Sequence, residues 1–144
     1  MEIVYVAGGC LWGVQAFFKT IPGIVSTEAG RANGTTSNLS GEYDGYAECV
    51  KLTFDPDSLT IRNIMSYLFE VIDPYSLNQQ GQDIGERYRT GLYSENTKHL
   101  NEAQTFINER EDRAHIVVEV LPLSYYVKSA PEHQDRLENY PEDH

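Results

Sequence analysis

The residue in this chain best suited to nucleophilic chemistry is Cys10, in the segment Gly8-Gly9-Cys10-Leu11-Trp12-Gly13. A thiol attacks only as thiolate, and a free cysteine with a pKa of ~8.5 is mostly protonated at neutral pH. At the first turn of a helix, unpaired backbone N–H groups and the positive end of the dipole stabilise the anion. Each pKa unit of that stabilisation is worth about 1.4 kcal/mol. Two glycines before the sulfur permit a tight turn and leave room for a substrate to approach. The ordinary fate of an intracellular cysteine is a buried small hydrophobe, so the helix-start position is what marks Cys10. Trp12, the single tryptophan, is either an ordinary core aromatic or an apolar wall beside the sulfur, able to hold a methyl and a second sulfur by aromatic contact.

The surrounding elements must put Cys10 at that turn. Residues 2–7 are apolar and β-branched, as in a buried central strand. From residue 10 to 19 the apolar Leu11, Val14, Phe17 and Phe18 recur at helical spacing, and Pro22-Gly23 ends the run. The order is therefore strand, glycine turn, helix. Residues 24–29 form a second strand candidate, and 31–45, rich in Gly, Asn, Ser and Thr, a surface loop. Residues 46–54 alternate as a strand with Glu48, Val50, Leu52 and Phe54 on one face. Asp55-Pro56-Asp57-Ser58 is expected to cap a helix with Ile61, Ile64, Met65, Leu68 and Ile72 as its apolar stripe. Residues 73–86 are a long polar loop, 88–93 a strand, 94–113 a helix and 116–121 a last strand. The charged tail from Pro131 is expected to wrap the surface. This order resembles a ferredoxin-like split β-α-β two-layer sandwich, α+β in class, with an appended helix and strand, a mixed sheet and helices over one face.

With 144 residues, 40% of them apolar, and no repeat or linker, the chain has the size and composition of one soluble domain over 1–144. A formal charge of −11 disfavours nucleic acid and anionic membrane surfaces as partners. No stretch is long enough to span a bilayer. The acidic start Met1-Glu2 lacks an export signal's basic flank, so a cytoplasmic setting is expected. The two cysteines, Cys10 and Cys49, are too few for a disulfide framework. His99, His115, His133 and His144 show no metal-ligand spacing, and no nucleotide-binding glycine pattern is present. No cofactor or metal is implied.

Several segments in register carry a family resemblance. Gly9 to Gly13 is similar to the Gly-Cys-Phe-Trp-Gly signature of class A peptide methionine sulfoxide reductases, with Leu11 in place of the phenylalanine. The likeness continues through Phe18, Pro22-Gly23 and Thr27-Glu28-Ala29-Gly30. It resumes at Gly45-Tyr46-Ala47-Glu48, at Gln80-Gly81-Gln82-Asp83, at Tyr88-Arg89, and at Tyr125-Tyr126 and Glu132-His133-Gln134.

The resemblance implies reduction of methionine S-sulfoxide, protein-bound or free, with Cys10 attacking the sulfoxide sulfur, methionine leaving and a Cys10 sulfenic acid remaining. It makes Glu48 the acid that protonates the oxygen, Tyr88 a hydrogen-bond donor to it and Asp83 a residue that shapes the site. Leu11 and Trp12 would line the methyl pocket. Chemistry supports the Glu48 role, because a sulfoxide oxygen leaves poorly until protonated and an apolar strand face raises a carboxyl's pKa.

The pattern also departs from the family's. Leu11 removes half of the aromatic pocket, Gln15 stands for a glutamate, Arg31 for a tyrosine, and the 31–45 loop is short, with Tyr43 the candidate to supply a missing hydrogen bond. The tail lacks a cysteine for resolving the sulfenic acid. Cys49 is the remaining candidate, but in a regular strand it points away from the Glu48 face, and a disulfide needs converging side chains with Cα atoms within about 7 Å. A one-cysteine enzyme, monomeric and reduced by an external thiol such as thioredoxin or a small thiol, is the expectation. The competing readings are a degenerate member that binds or senses sulfoxide without turnover, and a thiol peroxidase or disulfide exchanger, which would leave Glu48 without a purpose.

Overall fold

A run of apolar residues buried on both faces makes the centre of the sheet. In the computed structural model, which describes residues 1–9, 11–33, 45–81 and 83–129, with the backbone alone at Leu11 and Glu86, strand β1 (Glu2–Gly8) buries Val4, Tyr5, Val6 and Ala7 in succession. Helix α1 (Leu11–Phe18) follows, then β2 (Ile24–Ala32), β3 (Ala47–Phe54) and α2 (Ile61–Val71). A two-residue hairpin, β4 (Gln79–Gln80) and β5 (Asp83–Ile84), leads to a 3-10 turn at Glu86–Tyr88. Next come β6 (Thr90–Ser94), α3 (Thr97–Asn108), a 3-10 turn at Arg113–His115, β7 (Glu119–Pro122) and β8 (Tyr126–Lys128).

Six strands form one sheet in the order β7-β6-β1-β3-β2-β8, and β4-β5 stand apart. The β6–β7 pair is parallel and the rest are antiparallel. The protein is thus α+β with a mixed sheet and, among the described residues, three α-helices. Strand β3 lies between β1 and β2, pairing antiparallel with each, so β1 and β2 run parallel and α1 crosses between them.

The two sheet faces bury different sets. On one, Val4, Val6, Ala29, Val50, Leu52, Phe54 and Leu92 pack with Val14 and Phe18 of α1, Ile64, Met65 and Leu68 of α2, and Ala103 and Ile107 of α3. On the other, Tyr5, Ala7, Ala32, Ala47, Cys49 and Tyr93 pack beneath Leu123 and Tyr126. The period-2 alternation of a strand assigns each residue its side. Gly30 admits the closest approach there, since a Cβ on it would lie 2.3 Å from the Tyr126 ring.

Several boundaries differ from expectation for identifiable reasons. Strand β2 runs on through Arg31 and Ala32 because β3 and β8 pair with it there. The cap of α2 is Thr60, in a reciprocal pair with Asn63, while Asp55 instead closes a turn with Asp57 and Ser58. Helix α3 starts after Asn96, whose side chain accepts from the Lys98 N–H, and ends at Asn108. Ser94 remains in β6, its Oγ 2.7 Å from His99 Nδ1, and the opposite ring nitrogen of that buried histidine meets Glu2. Tyr88 belongs to the 3-10 turn rather than to the strand after it, and the last expected strand begins only at Glu119. The tail from residue 130 and loop residues 34–44 lie outside the described residues. No helix among the described residues is long and apolar enough to cross a membrane.

Candidate active site

Three separate stretches of chain meet near the end of β1. The first is the joint from β1 through Gly9 to Leu11. Gly9 has a φ of 87°, a left-handed conformation that glycine adopts without penalty. A Cβ there would sit 2.7 Å from the Gln80 Cβ, so the 73–88 segment packs directly on the joint. Gln80 is fixed in turn by its amide, which donates to the Asp73 carbonyl and accepts from the Asp73 N–H, both at 2.8 Å. Trp12 is partly buried against the helix-side core. Cys10, Tyr43 and the side chain of Leu11 lie outside the described residues.

The second stretch is the start of β3. Glu48 alternates with Val50, Leu52 and Phe54 and so lies on the helix-bearing face, half-buried. Burial pushes its carboxyl up to about 7, and the charge of Asp83 adds to that rise, while Arg87 and then Arg31 pull the other way. The carboxyl therefore holds its proton through a large part of the neutral range, as a general acid requires.

The third stretch supplies the neighbours. The 3-10 turn bearing Tyr88 packs against β3, and the Tyr88 N–H donates to the Gly85 carbonyl at 3.0 Å. Arg31 is the direct cross-strand partner of Glu48 on β2. Its guanidinium lies over the Tyr46 ring, 4.4 Å from the centroid, and that of Arg87 lies over the same ring at 5.7 Å. Arg87 escaped sequence reasoning. Its position one residue before Tyr88 was the available signal, but only folding shows that its charge reaches Glu48.

The remaining candidate, Cys49, is 1% exposed and sits in the opposite-face cluster among Tyr5, Ala32, Ala47 and Tyr93. Burial pushes its thiol up, well above the ordinary cysteine range. Gln15 is buried on α1 and donates to Thr27 Oγ1 at 3.2 Å, so a neutral amide occupies that position without needing a counter-charge. Among the described residues, no group of three or more His, Cys, Asp and Glu could hold a metal ion.

Residues 2–144 match the profile of the peptide methionine sulfoxide reductase family. The chain is similar to methionine sulfoxide reductase A of Corynebacterium diphtheriae, at 28% identity over 97% of this chain and 75% of that one, with a TM-score of 0.90. Mxr1 of Saccharomyces cerevisiae in reduced form aligns at 24% identity over 97% and 86% of the two chains, with a TM-score of 0.89. The same yeast protein in complex with Trx2 aligns at 20% identity over 94% and 84%, with a TM-score of 0.67. Fold and family match thus define an oxidoreductase that acts on sulfoxide sulfur. The chain belongs to the peptide methionine sulfoxide reductase family, and its activity is that of a peptide-methionine (S)-S-oxide reductase.

Proposed function

We propose that the chain works as one catalytic domain in which Cys10 is the nucleophile and Glu48 the proton donor. The Cys10 sulfur attacks the sulfoxide sulfur as the oxygen takes a proton from Glu48. Methionine leaves, and oxygen is retained on the enzyme as a Cys10 sulfenic acid, so the substrate sulfur is reduced by two electrons and Cys10 oxidised by two. The observation that carries this reading is Glu48 itself, a half-buried carboxyl held at about 7 on the sheet face toward which α1 packs. Tyr88 and Asp83 flank the oxygen side, and Trp12 with Leu11 shelters the methyl. Tyr43 supplies a further hydrogen bond.

Recycling uses external thiol. One thiol condenses with the sulfenic acid to a mixed disulfide, releasing water, and a second frees Cys10. The opposite-face burial of Cys49 supports this route over an internal disulfide. A thioredoxin is the proposed physiological donor, in keeping with the yeast Mxr1–Trx2 complex. A monomer suffices for every step. The family match does not favour a module without turnover.

The test is turnover of each epimer of an N-blocked methionine sulfoxide with excess dithiothreitol. S-epimer reduction should vanish in Cys10→Ser and fall by about 10²- to 10⁴-fold in Glu48→Gln, the range for losing a general acid. Full activity in Glu48→Gln would refute the proton-donor role.

A further inference from the structure

Glu48 is faced by charge from three elements: Arg31 from β2, Arg87 from the 3-10 turn and Asp83 from β5, with Tyr46 two residues before it on the same face of its strand. Two of these are cations gathered on one ring. Tyr46 is 6% exposed, so it cannot move away, and the guanidinium groups of Arg31 and Arg87 lie 4.4 and 5.7 Å from its centroid. Stacking on an aromatic face holds a guanidinium in place while keeping its charge. Register supplies the second constraint. Arg31 and Glu48 are directly opposed on β2 and β3, which sets their Cβ atoms about 5 Å apart on the same face.

We propose that Arg31, held on Tyr46 beside Arg87, is a positioning residue that sets the upper pH limit at which Glu48 delivers its proton. The inference rests on the Glu48 reading above. A fixed cation opposite a carboxyl stabilises its ionised form, so Arg31 weakens the hold on the proton that burial and Asp83 strengthen. The acid thereby releases its proton readily to the developing oxyanion, yet burial still leaves it protonated in a large fraction of molecules near pH 7. After transfer, the same cation stabilises the carboxylate left behind.

The experiment follows Glu48 ionisation and catalysis separately. Carbon-13 signals of the glutamate carboxyls are titrated, with Glu48 identified as the signal missing from Glu48→Gln, and kcat/KM is measured against pH with the S epimer and dithiothreitol. In Arg31→Met the Glu48 midpoint and the alkaline limb should both rise by about one pH unit, the scale for a nearby unit charge at the protein surface. Arg31→Lys should restore both to near the wild-type values. Should Arg31→Met misfold by circular dichroism, Arg31→Gln makes the same test with a polar replacement. An unmoved midpoint in the charge-removing variant, or an equal rise in Arg31→Lys, overturns the inference. A raised midpoint with an unmoved limb overturns the proton-donor reading of Glu48, and with it the pH limit assigned to Arg31.

Discussion

A carboxyl that titrates near 7 leaves a signature in both rate and stability. As the proposed proton donor Glu48 must be protonated to act, so kcat/KM should decline as pH rises through about 7. Its folded-state value lies above the ordinary 4.5, so its burial is uncharged and without electrostatic penalty below pH 4.5, and stability is lost as pH rises through about 7. The full difference corresponds to at most about 3 kcal/mol. Glu48→Gln should accordingly match the wild type in urea unfolding at pH 4.5 and exceed it at pH 8.5. Cys49 makes the converse case of a buried titratable group that the proposed mechanism does not use. Being 1% exposed on the far face, it should tolerate Cys49→Ala with dithiothreitol-driven turnover unchanged within about twofold, at a cost of about 1–2 kcal/mol for the small cavity. Loss of turnover at unchanged fold would instead give Cys49 a role in recycling.

The joint between β1 and α1 depends on the hairpin segment that covers it. Gln80 presses on Gly9, and Asp73 holds Gln80 through two hydrogen bonds, so the positions of Asp83, Arg87 and Tyr88 are set partly by that contact. Gly9→Ala adds a Cβ 2.7 Å from Gln80 at a backbone angle that only glycine takes easily. It should cost about 1–3 kcal/mol in unfolding free energy and at least tenfold in kcat/KM, with circular dichroism still showing a folded protein. At the other end of the sheet, the buried Ser94–His99–Glu2 chain ties β6, α3 and β1 together. That histidine works as a structural pin, far along β1 from the Gly9 joint.

At the scale of the whole molecule, 22 acidic residues against 11 basic ones produce a net charge of −11. The compact state concentrates that charge, while the few basic side chains near Glu48 are committed to the site. Self-repulsion of exposed charges is screened by salt. Raising sodium chloride from about 0.02 to 0.5 M should therefore raise Tm by a few degrees, since the Debye length drops well below the spacing of surface charges. A falling Tm would mean that favourable ion pairs, such as Arg89 with Glu119, dominate instead.

How far the site was legible before folding follows from the range of each signal. The glycine turn, the strand–helix unit around Cys10, the apolar stripes of α1 and α2, and the placement of Glu48 and Cys49 on opposite faces of β3 are encoded in local periodicity, because a strand repeats every two residues and a helix every 3.6. Helix ends and the 73–88 segment were less legible: Thr60 and Asn96 outcompete other plausible caps, and the small hairpin owes its shape to contacts with Asp73 and Gly9. The sequence by itself determined the residue types, their alternation and the family they resemble. Only the tertiary structure decided that Arg31 stands opposite Glu48, that Arg87 shares its aromatic support, and that Asp83 pushes the other way. Electrostatic coupling depends on distance through space, and residues 31, 48, 83 and 87 become neighbours only when β2, β3, β5 and the 3-10 turn come together.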